Sequence, residues 1–543
     1  MELITIKELL KRNVDKYRNQ IAFQMRGDSG YRKITFQQVA EQVEKVQGIL
    51  LNQGVVYQDR VALISENCPE WAISYIAIVS LGAIVVPLDA MLSKEEILPL
   101  LNDSGAKTII YSEKFTGYFA GGNVPIGQVK MEDFDNVQGS SQLPDVDVKP
   151  EDTAAIVYTS GTTGIPKGVV LTHKNIMSNV CSVSSLFDLG PKDNFLSVLP
   201  LHHTFETTAG FLGPFYNGCR ITYAESLKSN NILKNMQETG VTVMNGVPLL
   251  FQLFYNGILR EVEEKGKGKL FSVLFGISRF FKRVVGINVG RKLFSVVHKK
   301  FGGKIRFFVS GGAAIDPGLL ENFDLMGFTI YQGYGLTESS PILTCNYTKS
   351  NKPGAVGKVI PGVEIRISGS ELAGEILAFG PNIMKGYYKR KELASRVVVN
   401  GWLHTGDVGY LDEDGFLYIT GRSKDVIVTA SGVNVYPEEV EHLLKNIPGI
   451  KEVCVMGTTV TEGLRKGTEE VFAIIVPDFE YLEKHGYAEE VTVYSKIKEE
   501  IDGVNRKMAD YKRIAKFKIR KEELPKTRLM KIKRFELKKE LGK

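Results

Sequence analysis

A doubly wound α/β fold is predicted for most of the 543 residues, followed by a smaller mixed unit. Three observations predict it: short β-branched runs alternate with helical stretches, the texture changes to Gly-punctuated strands from about 354 to 420, and a new strand–helix–strand pattern begins after 424.

The first strand candidates are RVALIS (60–65), AIVVPL (83–88), KTIIYS (107–112) and TAAIVYT (153–159). NFLSVLPL (194–201), CRITYA (219–224) and KIRFFVS (304–310) follow. With helices between them, such runs build large, mostly parallel sheets. Residues 71–88, WAISYIAIVSLGAIVVPL, are eighteen without a charge, which touches the length of a membrane span. Ser74, Ser80, Pro87 and the flanking Glu70 and Asp89 instead predict a buried helix ending near Gly82 and running into a core strand. The segments GAVGKVIPGVEIRI, GEILAFG and GYLDEDGFLYITG predict a small β subdomain, with DEDG at 412–415 as a hairpin turn. Beyond it, VIVTASGVNVYP, the amphipathic PEEVEHLLKNI and the strands EVCVMG and EEVFAIIVP predict an α+β unit. The expected organisation is a large N-terminal domain over 1–424, with α/β sheets over 1–345 and a β-rich subdomain over 346–424, and a mobile C-terminal domain over 425–543.

Hydrophobic residues at 43% and charged residues at 24% exclude disorder, collagen and coiled coil for the whole chain. A net charge of +6 is too small for this length to argue for nucleic-acid binding. The five cysteines lie far apart without a CxxC pair, which disfavours a zinc site and a disulfide framework and fits a reducing, cytoplasmic setting. The N-terminus carries acids among its bases and no apolar run, so neither a secretory signal nor a transit peptide is expected.

YTSGTTGIPKG (158–168) leaves a predicted strand with small hydroxyl and glycine residues in succession and then offers a lysine. Such a loop can aim N–H groups and hydroxyls at phosphates. Its spacing is not GxxxxGK[ST], which excludes the P-loop kinases and GTPases. Alone it would read as a surface turn.

It has company. LPLHHTFE (199–206), YGLTE (334–338), WLHTGDVGYLDEDGFLYITGR (402–422) and PKTRLMKIKR (525–534) follow in order. With these motifs the chain resembles the adenylate-forming superfamily, among the acyl-CoA synthetases and nearest to long-chain fatty acid CoA ligases. The resemblance implies that a fatty acid and ATP give an acyl adenylate and pyrophosphate, and that coenzyme A then takes the acyl group and releases AMP. Attack on the α-phosphate spreads negative charge over the transferring phosphoryl group, so the chemistry needs cations, donors and Mg²⁺ more than a nucleophilic side chain.

The resemblance also implies site residues. Thr159, Ser160, Gly161, Thr162, Thr163, Gly164 and Lys167 would embrace the β- and γ-phosphates, and Glu338 with Thr159 would hold Mg²⁺. Tyr334 would lie against adenine, among Gly333, Gly335, Leu336 and Thr337, with Gly311, Gly312 and Ala313 of VSGGAAID lining the same pocket. Asp407 would accept from the ribose hydroxyls with Arg422 as its basic companion, and His203 would stand near the bound carboxylate and the acyl tunnel. The doublet leaves open whether His202 or His203 faces the site. Lys531 matches the lysine of the family pattern PKTxTGK that contacts the α-phosphate, although Leu529 and Met530 replace the TG pair here. Lys424 in GRSK matches the hinge about which the C-terminal domain rotates, so that Lys531 leaves and the loop around Gly432 arrives beside the pantetheine channel. Taken singly, the Thr337–Glu338 pair reads as a helix start and Asp407 as a turn former.

Residues 265–315 contain twelve Lys/Arg and no Asp/Glu. Within them LFSVLFGISRFFKRVVGINVGRKLFSVVHKKF mixes apolar residues with bases as an interfacial helix does. Two readings stand: peripheral contact with anionic membranes through 265–306, resting on Arg279, Lys282, Arg283, Arg291 and Lys292 with Phe280, Phe281 and Leu293, or a helix packing its Phe face on the sheets. The sequence thus predicts an Mg²⁺- and ATP-dependent long-chain fatty acid CoA ligase, cytoplasmic, with peripheral contact at the inner face of the membrane as one of the two open readings of 265–306. The alternatives are a ligase using acyl carrier protein as acceptor, a luciferase-like oxygenase and a non-catalytic membrane adaptor.

Overall fold

The computed structural model describes residues 4–119, 126–137, 139–140, 142–159, 166–369, 373–423, 425–428, 434–445, 447–460, 468–526 and 532–541. The chain forms two compact units, Met1–Ile365 with Ala378–Leu403, and Arg366–Leu377 with His404–Lys543. By packing, the boundary falls earlier than the expected hinge at Lys424, a residue outside the described ones.

Two large sheets build the first unit, as the alternation of strand and helix predicts. In the nine-stranded sheet six strands run parallel in the order Ile330–Gly335, Phe307–Ser310, Val243–Gly246, Asn194–Ser197, Arg220–Tyr223, Ile21–Gly27. Antiparallel strands flank them, Ile342–Cys345 and Lys358–Val359 on one side and Gly30–Thr35 on the other. The seven-stranded sheet places Thr153–Thr159, Ile84–Pro87, Arg60–Ile64, Thr108–Tyr111 and Gly127–Lys130 side by side in parallel. Lys167–Thr172 and Gly386–Tyr387 extend it antiparallel beyond Thr153–Thr159. Ile84–Pro87, Thr108–Tyr111 and Asn194–Ser197 are buried at every position, as strands covered on both faces must be.

The uncharged stretch 71–88 resolves as expected, into helix Pro69–Ser80 and strand Ile84–Pro87. Every residue of that helix but Glu70 is buried, which is why it is apolar all round. Gly82 makes the link in a left-handed conformation (φ 69°), and a Cβ there would strike the Tyr57 ring. No helix among the described residues is long and apolar enough to cross a membrane. Trp71 stacks on Tyr75 at 5.4 Å, and both meet the edge of Phe211, which with Phe23, Phe36 and Phe215 forms an aromatic centre. Losing one such ring costs about 3–5 kcal/mol.

In the second unit the DEDG turn closes the predicted hairpin between Trp402–Leu411 and Leu417–Arg422. Asp412 Oδ1 accepts from the N–H groups of Asp414 and Phe416, the side-chain turn geometry that favours Asp there. Beyond it lie helix Pro437–Lys445, the antiparallel pair Ile450–Thr459 and Glu469–Pro477, helix Glu490–Asn505 and strand Lys516–Ile519. Arg534 is their polar clasp: it bonds Glu441 Oε1 at 2.6 Å, Glu438 at 3.2 Å and the Val455 carbonyl at 2.9 Å.

Candidate active site

Thr159 and Lys167 end one strand and begin the next, directly opposite in the antiparallel register. These two antiparallel partners flank the glycine- and threonine-rich segment on either side. Ser160, Gly161, Thr162, Thr163 and Gly164 lie outside the described residues.

Glu338 sits in the one-turn 3₁₀ segment Thr337–Ser339 that follows strand Ile330–Gly335. Tyr387, on the neighbouring edge strand, donates its hydroxyl to Glu338 Oε1 at 2.8 Å. The same ring lies 5.5 Å from Lys167 Nζ. Burial and the adjacent carboxylate push the Tyr387 phenol well up, so it stays a donor. The backbone is held as firmly. Met384 N–H donates to the Glu338 carbonyl at 2.9 Å, Asn382 Nδ2 to the Ser339 carbonyl at 2.8 Å and Asn179 Nδ2 to the Ile342 carbonyl at 2.7 Å. Hence Lys167 and Glu338, separated by 170 residues of chain, meet around one tyrosine that no motif pointed to.

The glycine segments gather at the C-terminal edge of the parallel strands, where α/β sheets bind ligands. Ser310 and Gln332 are register partners, so Gly311–Ala313 follow the end of one strand beside Gly333–Gly335, the last residues of the next. Gly335 is required by packing, since a Cβ there would collide with the Pro341 carbonyl oxygen. The Phe205 ring sits 3.0 Å from where a Gly311 Cβ would be. Tyr334 and Leu336 are half-buried against Leu343, Ala378 and Leu403.

The doublet divides. His202 is buried, with Nε2 3.2 Å from Asp89 Oδ2, and burial pushes it down to about 3, so the ring is neutral. His203 is half-buried, its ring 4.1 Å from that of His202. Next comes a π-helical segment, Glu206–Leu212, a rare conformation that favours functional sites. Glu206 is fully buried near Ser197 and Asn245, neither carboxyl oxygen has a hydrogen-bond partner among the described residues, and burial raises it to about 8. Its carboxyl occupies the space a Gly210 Cβ would need. Thr208 Oγ1 then donates to the Ser340 carbonyl at 3.3 Å, tying this segment to the Glu338 turn. A cavity of about 10 Å³ lies under Thr204, Thr207 and Thr208, walled by Tyr75, Val157 and Leu171. A space that small holds at most one water.

In the second unit the expected pair is formed: Arg422 Nε lies 3.0 Å from Asp407 Oδ1, across the hairpin register, and Asp407 is buried. Lys424, Gly432 and Lys531 lie outside the described residues. Among the described residues on either side, Lys526 and Ile532 bridge and Lys533 N–H donates to the Pro525 carbonyl at 2.8 Å.

Tyr387, Glu206, Asn179 and Asn382 were not found from sequence. Tyr387 follows a lysine and a glycine in KGYYKR and carries no local signal, because its meaning comes from register with a strand more than 200 residues away.

The class of protein follows from comparison with known families. The AMP-binding enzyme family matches residues 10–388 and its C-terminal domain residues 439–531. The chain belongs to this family, the adenylate-forming enzymes. Long-chain-fatty-acid–CoA ligase FadD15 of Mycobacterium bovis is 30% identical over 470 residues, covering 80% of this chain and 77% of that protein. The 2-succinylbenzoate–CoA ligase of Bacillus velezensis is 33% identical over 413 residues, covering 74% and 75%. Among solved structures, ATP-bound MatB from Rhodopseudomonas palustris superposes with a TM-score of 0.79 at 25% identity, covering 99% of both chains.

Proposed function

We propose that this adenylate-forming CoA ligase activates a long-chain fatty acid through an acyl adenylate and transfers it to coenzyme A. The observation that carries the chemistry is the grouping of Glu338, Tyr387 and Lys167 beside the glycine- and threonine-rich segment. Lys167 and the loop donors bind the β- and γ-phosphates of ATP. Glu338, one oxygen of which accepts from the Tyr387 hydroxyl, and Thr159 would hold Mg²⁺, since hard oxygen donors of this kind suit it, and the ion would supply charge neutralisation for the phosphates.

The remaining roles follow from the motifs. Tyr334 covers adenine above the glycine segments Gly311–Ala313 and Gly333–Gly335. Asp407, oriented by Arg422, accepts from the ribose hydroxyls. His203 orients the carboxylate for in-line attack on the α-phosphate, and Lys531 stabilises the charge that develops there. After pyrophosphate leaves, rotation about Lys424 withdraws Lys531 and brings the Gly432 loop to the thiol of coenzyme A.

The long-chain acid is supported by the relative of that name. The 2-succinylbenzoate relative makes an aromatic acid the competing substrate. Pyrophosphate release with straight-chain acids from C2 to C20 and with 2-succinylbenzoate, each with coenzyme A or acyl carrier protein, tests the reading. Highest kcat/KM for long-chain acids with coenzyme A is expected. Preference for the aromatic acid, or for the carrier protein, overturns the corresponding half of it.

A further inference from the structure

Helix Gly268–Phe280 continues through the π-turn Phe281–Val285 and shows three lines of side chains. Phe271, Phe275 and Ser278 turn inward: both rings pack on Phe294, at 5.5 and 5.2 Å, and Ser278 Oγ donates to the Leu325 carbonyl at 2.6 Å. Lys269, Ser272, Gly276, Arg279 and Arg283, at helical steps of three and four, form a polar line. The third line is apolar and faces water: Leu270, Val273, Ile277, Phe280 and Val284 are 54, 58, 38, 57 and 67% exposed. The helix thus packs its Phe face and presents a second apolar face outward. A contiguous exposed stripe of this kind marks a contact surface.

The charges around it differ from the expectation. Of the five bases on which a membrane contact was to rest, Lys282 is paired with Asp324, and Arg279 and Arg283 each lie 3.5 Å from Glu321. Arg291 donates to the Ile305 and Gly303 carbonyls. These four are committed within the fold. Lys267, Lys269 and Lys292 are exposed without an ion-pair partner among the described residues. With Glu321 and Asp324 already neutralised, the rim of the stripe is positive.

We propose that this stripe seats the protein on an anionic bilayer, inserting Val273, Ile277, Phe280 and Val284 between headgroups while the helix lies in the plane of the surface. The free lysines attract an anionic surface and repel a second copy of the same face, which favours lipid over self-association. The choice of lipid draws on the fatty-acid reading, since such acids partition there. The test below contains no substrate, so a different acid preference leaves its outcome unaffected.

The full chain is co-sedimented with vesicles of phosphatidylcholine alone and mixed with phosphatidylglycerol. It is compared with an Ile277→Ser, Phe280→Ser, Val284→Ser variant and a Lys267→Gln, Lys269→Gln, Lys292→Gln variant, with thermal melts as a fold control. Native protein should bind the anionic vesicles about ten-fold more tightly, and the serine variant should lose about ten-fold on both vesicle types. The glutamine variant should lose only the anionic preference and its salt sensitivity. The proposal is overturned by absence of binding, by equal binding of the serine variant, or by a native dimer that the serine substitutions dissociate.

Discussion

The Tyr387 hydroxyl donates to Glu338 Oε1 at 2.8 Å, and its ring lies 5.5 Å from Lys167 Nζ. One side chain therefore fixes the carboxylate proposed to hold Mg²⁺ and packs beside the lysine proposed to hold the phosphates. A hydrogen bond to a charged group contributes about 1.5–3 kcal/mol, or roughly 10- to 100-fold. Tyr387→Phe should raise the Mg²⁺ concentration for half-maximal pyrophosphate release by about ten-fold, and Glu338→Gln by more, since a charged ligand becomes neutral. Unchanged Mg²⁺ titrations in both would remove Glu338 from the metal site.

Asp407→Ala should weaken ATP binding about ten-fold, by loss of a charged acceptor for ribose hydroxyls. Isothermal titration with ATP and with a 2′,3′-dideoxy analogue separates causes. Native protein should prefer ATP, whereas the variant should bind both alike. A preference that survives in the variant assigns Asp407 to holding Arg422 only.

Glu206 gives stability a pH dependence. Its ordinary value is 4.5 and burial raises it to about 8. Below the lower value both states are protonated. Between the two values the unfolded chain ionises while the fold retains the proton, so stability falls as pH rises, then levels off above the upper one. Glu206→Gln removes this loss. In urea denaturation the variant should gain on the native protein between pH 5 and 8 by an amount on the order of a few kcal/mol. A constant gap across that range would mean that Glu206 is ionised or solvated in the fold.

Much of the fold was legible because its strands are short, fully buried β-branched runs separated by helices, and periodicity reports such burial directly. The runs overstated the strands: NFLSVLPL keeps strand only over Asn194–Ser197, since the rest leaves the sheet to carry the histidines. Pairing within the candidate site was legible where it is local in sequence, as in Asp407 with Arg422, whose spacing across a DEDG turn sets their register. It was illegible where residues are aligned by pairing of distant strands, as with Tyr387, or by one helix lying across another element, as with Asn179 and the Glu338 turn. The outward stripe of Gly268–Phe280 was half-legible: periodicity gave an apolar helix, but only packing distinguishes the face against Phe294 from the face in water.

Lys531→Ala should cut adenylation by about 10² to 10³, as loss of one donor to developing charge does, while thioester formation from supplied acyl adenylate stays near native. Lys424→Pro should do the converse by stiffening the hinge. Single-turnover rates of the two half-reactions check both. Equal losses in each half-reaction for both variants would contradict a rotating domain.

The most direct measurement is exchange of labelled pyrophosphate into ATP, with fatty acid and Mg²⁺ present and coenzyme A absent. An adenylate-forming site built on Lys167, Glu338 and Tyr387 predicts exchange that requires the acid and the metal, needs no coenzyme A and falls at least ten-fold in Tyr387→Phe. Exchange that appears only with coenzyme A, or that Tyr387→Phe leaves at the native rate, would contradict it.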